Sequence, residues 1–404
     1  MTPQRDIQPI VIAGAGPVGL VLAMRLGHMG LPCVVLESEP DIVRSLRAST
    51  FHPPTLDMLD AYGITPQLID AGLIAPTWQV RMHATHEFAQ FDLSVLKDET
   101  AHPYRLQCEQ WRLSEFLLAH IRDKLPHVQV LLGHALDGFT QDHEQVTVDY
   151  RAPDGELCRV RTPFLVGADG GRSHVRKALD LAFDGHTFPE TTILATTRFP
   201  FHEHMKDLAF INYCWSETGT FSLLRLKDLW RISLYPDEGE EMDVAVGMAS
   251  VQKKLQRIVP LPTAYDVMEI RPYRIHQRVV KQYVVGRVVL VGDAAHLNSP
   301  SGGMGMNGGI HDAFNLSEKI EQICTGQAGL EALSLYERQR RPIAIEHVLA
   351  QSGQNRARMQ ERDMSKRRSA LLALQQKAND PVLHKAHLLN TSMITGLRES
   401  ALVV

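Results

Sequence analysis

The N-terminal part of the chain alternates between short apolar runs and glycine-rich or polar turns. Ile10–Ala13 is a mostly β-branched apolar run, which is typical of a strand buried on both faces. Val18–Met29 has apolar residues at three-residue spacing and predicts a helix that ends at Gly30. Cys33–Leu36 predicts a second strand, with Glu37 directly after it. Strand, helix and strand in this order predict a βαβ unit with parallel strands and a right-handed crossover.

The middle of the chain favours strands, and its last quarter favours helices. Residues 78–105 are irregular and β-like, Glu109–Lys124 predicts a helix, and the pattern beyond Gly309 is mostly helical. The densely charged stretch 356–368 predicts a solvated helix face. Apolar or alternating runs predict further strands at Val128–Leu132, Val146–Tyr150, Arg159–Leu165, Thr220–Leu226, Leu229–Tyr235 and Val284–Val291.

Composition and charge exclude several classes of protein. The chain has 404 residues, of which 44% are hydrophobic and 22% charged, values that exclude a disordered or collagen-like chain. With 42 basic and 46 acidic residues the net charge is −4, so we expect no nucleic-acid partner. At roughly 150 residues per domain, the length favours two or three domains.

Cysteine usage and one uncharged run bear on the compartment. The five cysteines never form a Cys-x-x-Cys pair, which argues against a disulfide framework or a metal site and favours a cytoplasmic location. Residues 7–24 carry no charge, but the run is short for a membrane span and contains glycines and prolines. We therefore expect no stable membrane insertion.

The first motif with chemical meaning is a G-x-G-x-x-G formed by Gly14, Gly16 and Gly19 between the first predicted strand and its helix. The first glycine allows a tight turn, the second lets a pyrophosphate approach the backbone, and the third lets the helix pack on the strand. The helix N-terminus then offers N–H groups to the phosphates, and Glu37 can accept hydrogen bonds from ribose hydroxyls. This context favours a dinucleotide such as FAD or NAD over an ordinary glycine turn.

A second motif begins where an apolar strand ends in Gly292–Asp293. A carboxylate there can bind sugar or ribityl hydroxyls, although Asp293 alone is equally a turn or cap residue. The glycine-rich stretch Pro300–Gly309 follows, and its N–H groups could serve a flavin ring that becomes anionic on reduction. For His296 we prefer a buried structural role to a catalytic one.

A third motif contains Asp169, Gly170, Arg172, Ser173 and Arg176 after another apolar strand. Taken alone, it predicts a strand-to-helix turn with a serine cap.

The three motifs in this order resemble the single-component FAD-dependent aromatic hydroxylases of the para-hydroxybenzoate hydroxylase type. The stretch Tyr336–Pro342 also resembles the late helix signature of that family, so the resemblance covers nearly the whole chain. It implies an α/β fold: a Rossmann-like FAD-binding domain of the glutathione reductase type, interleaved with a β-sheet substrate domain and followed by a helical C-terminal segment. The implied bounds are 1–75, 106–182 and 283–330 for the FAD-binding domain, 76–105 and 183–282 for the substrate domain, and 331–404 for the helical segment.

The resemblance also implies roles for residues that contact the cofactor. Asp293 would hold the ribityl chain, and Asp169 would serve both FAD and NAD(P)H. Arg47, with Arg44 as a rival, and Gln110 would contact FAD. In the loop, the residues implied to surround the flavin are Pro300 near its reacting face, Gly303, Gly305, and Met306 and Asn307 at its pyrimidine edge.

The implied reaction has two halves. NADH or NADPH binds transiently and reduces FAD, and reduced FAD adds O2 to form a C4a-hydroperoxide that hydroxylates a small phenol-like or heteroaromatic ring. Tyr213 occupies roughly the position of a family tyrosine that contacts the phenol, and Arg225 could pair with an anionic oxygen. Strand alternation predicts that Phe221, Leu223 and Arg225 share one face. For Tyr213 and Arg225, core packing and a solvent-facing position are the simpler alternatives.

Other functions on the same fold remain alternatives. They are an FAD-dependent reductase of the prenyl-chain type and a non-catalytic FAD-binding protein. A flavin-dependent halogenase is disfavoured because no Trp-x-Trp pair is present. The identity of the aromatic substrate, the choice between NADH and NADPH, and the choice between monomer and dimer stay open.

Overall fold

The computed structural model describes residues 8–45 and 48–404. In chain order, its strands are β1 (Ile10–Ala13), β2 (Cys33–Glu37), β3 (Thr50–Phe51), β4 (Leu73–Ala75), β5 (Thr77–Met82), β6 (Phe88–Asp92), β7 (Arg105–Gln107), β8 (Val128–Leu132), β9 (Ala135–Gln141), β10 (Val146–Arg151), β11 (Leu157–Thr162), β12 (Leu165–Gly167), β13 (Phe183–Thr197), β14 (Ile211–Ser216), β15 (Gly219–Arg225), β16 (Trp230–Leu234), β17 (Val267–Val280), β18 (Val284–Val285), β19 (Val288–Leu290) and β20 (His296–Leu297).

The α-helices are α1 (Pro17–His28), α2 (Pro53–Asp60), α3 (Ile64–Ala71), α4 (Gln110–Lys124), α5 (His174–Ala178), α6 (Phe201–His204), α7 (Met242–Ala245), α8 (Met248–Ile258), α9 (Gly305–Cys324), α10 (Glu331–Ile343), α11 (Ala350–Gln360), α12 (Met364–Asn379), α13 (Pro381–Thr391) and α14 (Ile394–Ala401). Short 3₁₀ turns lie at Leu93–Leu96 and Gly292–Ala294, and a π-helical stretch, Ala344–Leu349, joins α10 to α11. None of the helices in the two described ranges is both long and apolar enough to cross a membrane.

A six-stranded sheet in the order β18-β19-β12-β1-β2-β8 forms the core of the first layer. Its strands are parallel except for the β18–β19 pair. β1, β12 and β19 are buried along their whole length, which explains their uninterrupted apolar sequences. The predicted βαβ unit is confirmed, with Ile10 opposite Cys33 in the β1–β2 pair.

A second, eight-stranded sheet has the order β20-β17-β13-β16-β15-β14-β5-β6. Its neighbours are antiparallel except for β14 and β5, which are parallel with Ile211 opposite Trp78. Because its strands come from four separate parts of the chain, the two sheets are interleaved in sequence, and the α/β fold class is confirmed. The exact domain bounds stay a prediction; β20 lies in the stretch predicted for the FAD-binding domain but pairs with β17.

Two predicted strands are each divided in the structure. The run Arg159–Leu165 separates into β11 and β12, which belong to different sheets, because Pro163 has no N–H to continue a ladder. The run Val284–Val291 folds back on itself as the β18–β19 hairpin, with Gly286 in the turn at φ +60°. Pro163 and Gly286 are the sequence signals for the two breaks, and the apolar residues on either side of them conceal these signals.

The C-terminal segment is helical, as predicted, and it covers part of the second sheet. α12 packs on β6, while α11 packs on β14 and β15. Trp78 and Phe91 of the sheet share an apolar cluster with Leu371 of α12 and Leu388 of α13. The prediction of a solvated face at 356–368 is wrong for Arg367, which is buried and donates to the carbonyl oxygen of Ser216.

Candidate active site

The first glycine motif is built for close approach of backbone segments. Gly14 follows β1 at φ +104°, and a Cβ there would lie 2.5 Å from the carbonyl oxygen of Ala168. The turn therefore packs directly against the segment that precedes Asp169. Helix α1 begins at Pro17, and its N-cap Gly16 supplies no side chain to its first N–H groups. This leaves the helix N-terminus available to phosphate oxygens.

Glu37 lies beside this turn at the end of β2. Its Oε2 accepts a hydrogen bond of 2.8 Å from the N–H of Ala15, and its Oε1 accepts one of 3.0 Å from the N–H of Glu39. The carboxylate is thus held next to the glycine turn and remains partly exposed. A ribose hydroxyl near the turn could reach it, so the predicted role of Glu37 fits the geometry.

Gly19 and Gly16 provide a matched pair of substitutions. Gly19→Ala would place its Cβ 2.0 Å from the carbonyl oxygen of Gly14, so we expect loss of folding stability by about 1–3 kcal/mol from overpacking. Gly16→Ala meets no atom within 4 Å, so the unfolding temperature without cofactor should stay unchanged. Because the methyl group would occupy the space beside the helix N-terminus, FAD affinity should nevertheless fall.

Thermal unfolding without added FAD and FAD titration separate these two effects. Equal FAD affinity in Gly16→Ala and the unsubstituted protein would contradict the position assigned to the pyrophosphate.

The middle motif has a clear local role. The Asp169 carboxylate accepts hydrogen bonds from the hydroxyl of Ser173 and from the N–H groups of His174 (2.6 Å) and Val175 (3.1 Å). Ser173 is the N-cap of α5, as the serine-cap interpretation predicts, and accepts a 3.0 Å bond from the N–H of Arg176. Contact of Asp169 with FAD or NAD(P)H stays a prediction.

The second glycine-rich stretch leads into α9 earlier than predicted. The helix begins at Gly305, so Met306 and Asn307 lie in its first turn, and the N-cap Met304 supplies no side-chain cap. The Asn307 amide is fully used within the protein: its Oδ1 accepts from the N–H of His52 at 3.0 Å, and its Nδ2 donates to the carbonyl oxygens of Thr50 and Gly303. Asn307 can therefore serve a flavin through its backbone N–H, as predicted, while its side chain fixes the neighbouring segments.

A buried ion-pair network connects α9 to the turn at Gly292 and supports both. Asp312 accepts from Arg340 Nε at 2.7 Å, from His296 Nε2 at 2.8 Å and from the N–H of Gly292 at 3.2 Å. Burial alone would raise the pKa of Asp312, but Arg340 and His296 outweigh it and hold that pKa below its usual value. His296 is 1% exposed, which agrees with the structural role preferred for it. Asp293 follows Gly292 directly and its side chain is exposed, so the network positions the residue predicted to hold the ribityl chain.

The structure describes only some of the remaining residues that were predicted to contact FAD. Arg47 lies outside the described residues. Its rival Arg44 is exposed and pairs with Glu115 at 2.7 Å. Gln110 begins α4, and its Oε1 accepts from the N–H of Ala48 at 3.3 Å.

The face of the second sheet that carries Tyr213 forms a pocket with α11 and with the loop Pro300–Met304, which precedes α9 and is called the flavin loop below. Tyr213 is half-buried, and its ring lies edge-on to that of Trp78 at 6.2 Å. The charged side chains of Arg105 and Arg358 both lie near the Tyr213 hydroxyl. The lining residues are Trp78, Val80, Arg105, Tyr213, Gly302, Met304, Asn355, Arg358, Met359 and Thr391.

Arg225 does not join this pocket. Tyr213 lies opposite Ser222, so alternation puts Phe221, Leu223 and Arg225 on the other face of β15. Phe221 and Leu223 indeed pack into the apolar cluster on that face, and the guanidinium of Arg225 lies 5.8 Å from the Phe210 ring. The prediction that these three residues share a face is consistent with this register, but the structure does not bring Arg225 to Tyr213.

The flavin loop connects the two halves of the site. Pro300 is exposed, and its carbonyl oxygen accepts from the N–H of Gly303 at 3.0 Å, which closes a turn. The next residues, Gly302 and Met304, line the pocket. His52 donates a hydrogen bond of 2.8 Å from Nε2 to the carbonyl oxygen of Gly302. Since that oxygen only accepts, the Nε2 carries the proton. Burial, and then Arg105, lower the pKa of His52 well below its usual value, so the ring is neutral.

Sequence reasoning missed Arg105, Arg358, Trp78 and His52. Each lies in a segment whose pattern predicts only a strand, a helix or a turn, and no spacing rule links them. A basic residue beside an apolar one, as Arg105 is at the start of Arg105–Gln107, is only a weak signal that the cation is buried.

Comparisons with known proteins agree with this geometry. The profile of the family described as an FAD binding domain matches residues 8–351. Para-nitrophenol 4-monooxygenase of Pseudomonas sp. (strain WBC-3) is 32% identical over 390 residues, covering 96% of each chain. The 6-hydroxy-3-succinoylpyridine 3-monooxygenase HspB of Pseudomonas putida is 32% identical over 353 residues, covering 86% of this chain and 88% of that protein.

Solved structures show the same similarity. The crystal structure of p-nitrophenol 4-monooxygenase PnpA from Pseudomonas putida DLL-E4 superposes with a TM-score of 0.89 at 30% identity, covering 97% of this chain and 98% of that one. A complex of aklavinone-11 hydroxylase with FAD and aklavinone superposes with a TM-score of 0.77 at 25% identity, covering 88% and 70%. The uncapped N-termini of α1 and α9, the carboxylate of Glu37 and the space beside Gly16 fit FAD. The chain therefore belongs to the FAD-binding-domain family of flavin-dependent aromatic hydroxylases, and it is an FAD-dependent aromatic monooxygenase.

Proposed function

We propose that the chain uses NAD(P)H and O2 to hydroxylate a small single-ring phenol held in the pocket at Tyr213. The observation that carries this proposal is the position of the pocket between the sheet face and the loop residues Gly302 and Met304, which lead into the helix N-terminus that fits the flavin. The substrates named for two relatives support a substrate with a single aromatic ring. Para-nitrophenol and 6-hydroxy-3-succinoylpyridine each contain one six-membered aromatic ring with a hydroxyl group.

Each part of the pocket would have a separate task. FAD, when bound, supplies the activation of oxygen and the transfer of one oxygen atom to the ring. The apolar side chains Trp78, Val80 and Met304 would hold the ring and exclude water. The Tyr213 hydroxyl lies near the guanidinium of Arg105, which cannot accept a hydrogen bond, so the Tyr213 proton is free to be donated to the oxygen of a phenol or phenolate. Stabilising negative charge on that oxygen makes the ring more nucleophilic.

The proposal is tested with the FAD-loaded protein and a panel of single-ring phenols. We expect at least one of them to accelerate NADH or NADPH oxidation and to gain one oxygen atom, detected by mass spectrometry. Labelled ¹⁸O2 should supply that atom. Bound FAD with no oxygenated product from any phenol would overturn the proposal and favour the reductase or the non-catalytic alternative.

Tyr213→Phe should slow hydroxylation by about 10- to 100-fold, because one hydrogen bond to a charged oxygen is lost. The Phe ring keeps the edge-on packing against Trp78, so FAD affinity should not change. Product formation is measured by chromatography, together with FAD titration. Tyr150→Phe, in the three-stranded sheet of β9–β11, is the matched control. An unchanged rate for Tyr213→Phe would remove Tyr213 from the reaction.

A further inference from the structure

The side chain of His52 serves a different element from the helix that His52 begins. His52 is the N-cap of α2, a position that favours serine, threonine, aspartate or asparagine, yet its side chain caps none of the helix N–H groups. It is completely buried and donates instead from Nε2 to the carbonyl oxygen of Gly302, at 2.8 Å. The ring of His52 therefore acts on the flavin loop and not on α2.

Only one ring nitrogen of His52 makes this connection. The Nδ1 is buried and has no hydrogen-bond partner among residues 8–45 and 48–404. Burial lowers the pKa of His52 well below its usual value, so the ring is neutral and its single N–H proton lies in the bond to Gly302. The contact between the ring and the loop therefore depends on one directional donor.

The peptide that accepts this bond lies between two glycines. Gly302 has φ +101° and Gly303 has φ +69°, and without side chains this peptide can rotate at little steric cost. Its carbonyl oxygen is held by His52, and its N–H donates to the carbonyl oxygen of Pro300 at 3.0 Å. Gly302 and Met304 line the pocket, and the N-terminus of α9 that fits the flavin follows directly. The orientation of this one peptide therefore affects the wall between substrate and cofactor.

Asn307 holds the backbone of His52 independently of the His52 ring. Its Oδ1 accepts from the N–H of His52 at 3.0 Å, while its Nδ2 donates to the carbonyl oxygen of Gly303 at 2.7 Å. A substitution of the ring therefore removes the bond to Gly302 and leaves the backbone contact in place.

We propose that His52 is a positioning residue, which holds the Gly302–Gly303 peptide in place and thereby raises the share of activated oxygen that reaches the substrate. This inference rests on the proposed function, because it concerns the yield of the same reaction. In the productive reaction NAD(P)H, a proton, O2 and the phenol give NAD(P)+, water and the hydroxylated phenol. In the unproductive reaction NAD(P)H, a proton and O2 give NAD(P)+ and H2O2, and a displaced loop that admits water favours it.

Two amide variants separate the donor from the rest of the side chain. In His52→Gln the amide nitrogen reaches about as far from the backbone as Nε2, so its N–H can still donate to Gly302. In His52→Asn the side chain is one carbon shorter than in Gln and cannot reach Gly302. Asparagine is however a favoured N-cap residue, so α2 keeps its start in this variant. A defect confined to His52→Asn therefore comes from the lost loop contact and not from α2.

Hydrogen exchange and product yield are measured on the FAD-loaded variants. Without NAD(P)H, mass spectrometry should show exchange of the Gly303 N–H about 3- to 10-fold faster in His52→Asn than in the unsubstituted protein, because one hydrogen bond is lost. With NAD(P)H and a phenol that the protein hydroxylates, the ratio of product to H2O2 should fall by a similar factor. His52→Gln should stay within about twofold of the unsubstituted protein in both measurements.

His311 provides a matched control, because it is another buried histidine that does not contact the loop. It is 2% exposed, and its Nε2 lies 2.9 Å from the hydroxyl oxygen of Thr55. His311→Asn should lower the unfolding temperature through the loss of buried contacts, but loop exchange and the product ratio should stay unchanged. If His52→Asn does not retain FAD, His52→Met, which fills more of the same space, takes its place in the comparison.

The outcomes separate this inference from the proposed function. Loop exchange and a product ratio that are unchanged in His52→Asn, or that are altered equally in His52→Gln, would overturn the role of His52. Faster exchange without additional H2O2 would also overturn it, because His52 would then hold the loop without affecting oxygen transfer. If the unsubstituted protein hydroxylates no phenol, the proposed function fails, whereas the exchange comparison still decides whether His52 holds the loop.

Discussion

Asp312→Asn is expected to lower the free energy of unfolding by about 3–5 kcal/mol, because it leaves a buried arginine without its counter-charge. Asp312 is completely buried, and Arg340 beside it is 2% exposed. The asparagine is nearly isosteric, so packing changes little, but one oxygen acceptor becomes a donor that faces either Arg340 or the N–H of Gly292. Gly292 precedes Asp293, so FAD retention should fall as well.

Chemical denaturation monitored by circular dichroism measures this change. Asp149→Asn is the control, because it breaks the exposed pair with Arg159 and should leave stability almost unchanged. If Asp312→Asn were no more destabilising than that surface variant, the buried network would not support the loop as described.

Acid should destabilise the protein well before its carboxylates are protonated. Burial is the main cause that lowers the pKa of His311 and of His387 to about 3 from the ordinary 6.5, and the pKa of His52 also falls well below that value. The unfolded chain binds these protons near pH 6.5, whereas the folded chain stays neutral there. Stability is therefore complete above about pH 6.5 and decreases as the pH falls towards the folded pKa values, by roughly 1.4 kcal/mol per pH unit for each such histidine.

The free energy of unfolding measured by urea denaturation from pH 7.5 to 4.5 checks this slope. His387→Phe should flatten it by about one proton, because the ring contacts with Phe91 and Trp78 can persist while the titrating group is removed. His143→Asn, at an exposed site, should leave the slope unchanged. A stability curve that is level between pH 6.5 and 5 would show that these histidines are not buried in neutral form.

Arg105 and Arg358 have no carboxylate partner among residues 8–45 and 48–404, although both line the pocket. A well-packed apolar residue at Arg105 would remove a buried cation and could stabilise the free protein. The chain instead keeps donors without acceptors beside Tyr213. This arrangement is typical of binding sites, where polar groups are completed by the ligand.

The cofactor half of the site was predictable because its signals are local. The turn at Gly14, the helix N-terminus at Gly16 and the carboxylate of Glu37 lie within one βαβ unit, so residue type and short spacing determine their geometry. The turns at Asp169–Gly170 and Gly292–Asp293 likewise follow buried strands that their apolar sequences predict. The order of these motifs along the chain is what made the family recognisable.

The pocket proposed for the substrate was decided by tertiary structure alone. Arg105, Tyr213 and Arg358 meet because β7, β14 and α11 pack together, and no periodicity in the sequence records contacts between such distant segments. The face occupied by Arg225 depended on strand register, since a shift of one residue reverses which side chains face the pocket. The sequence by itself therefore determined the fold class and the cofactor, whose motifs are short and continuous, whereas only the packing of separate elements decided which charges line the pocket proposed for the substrate.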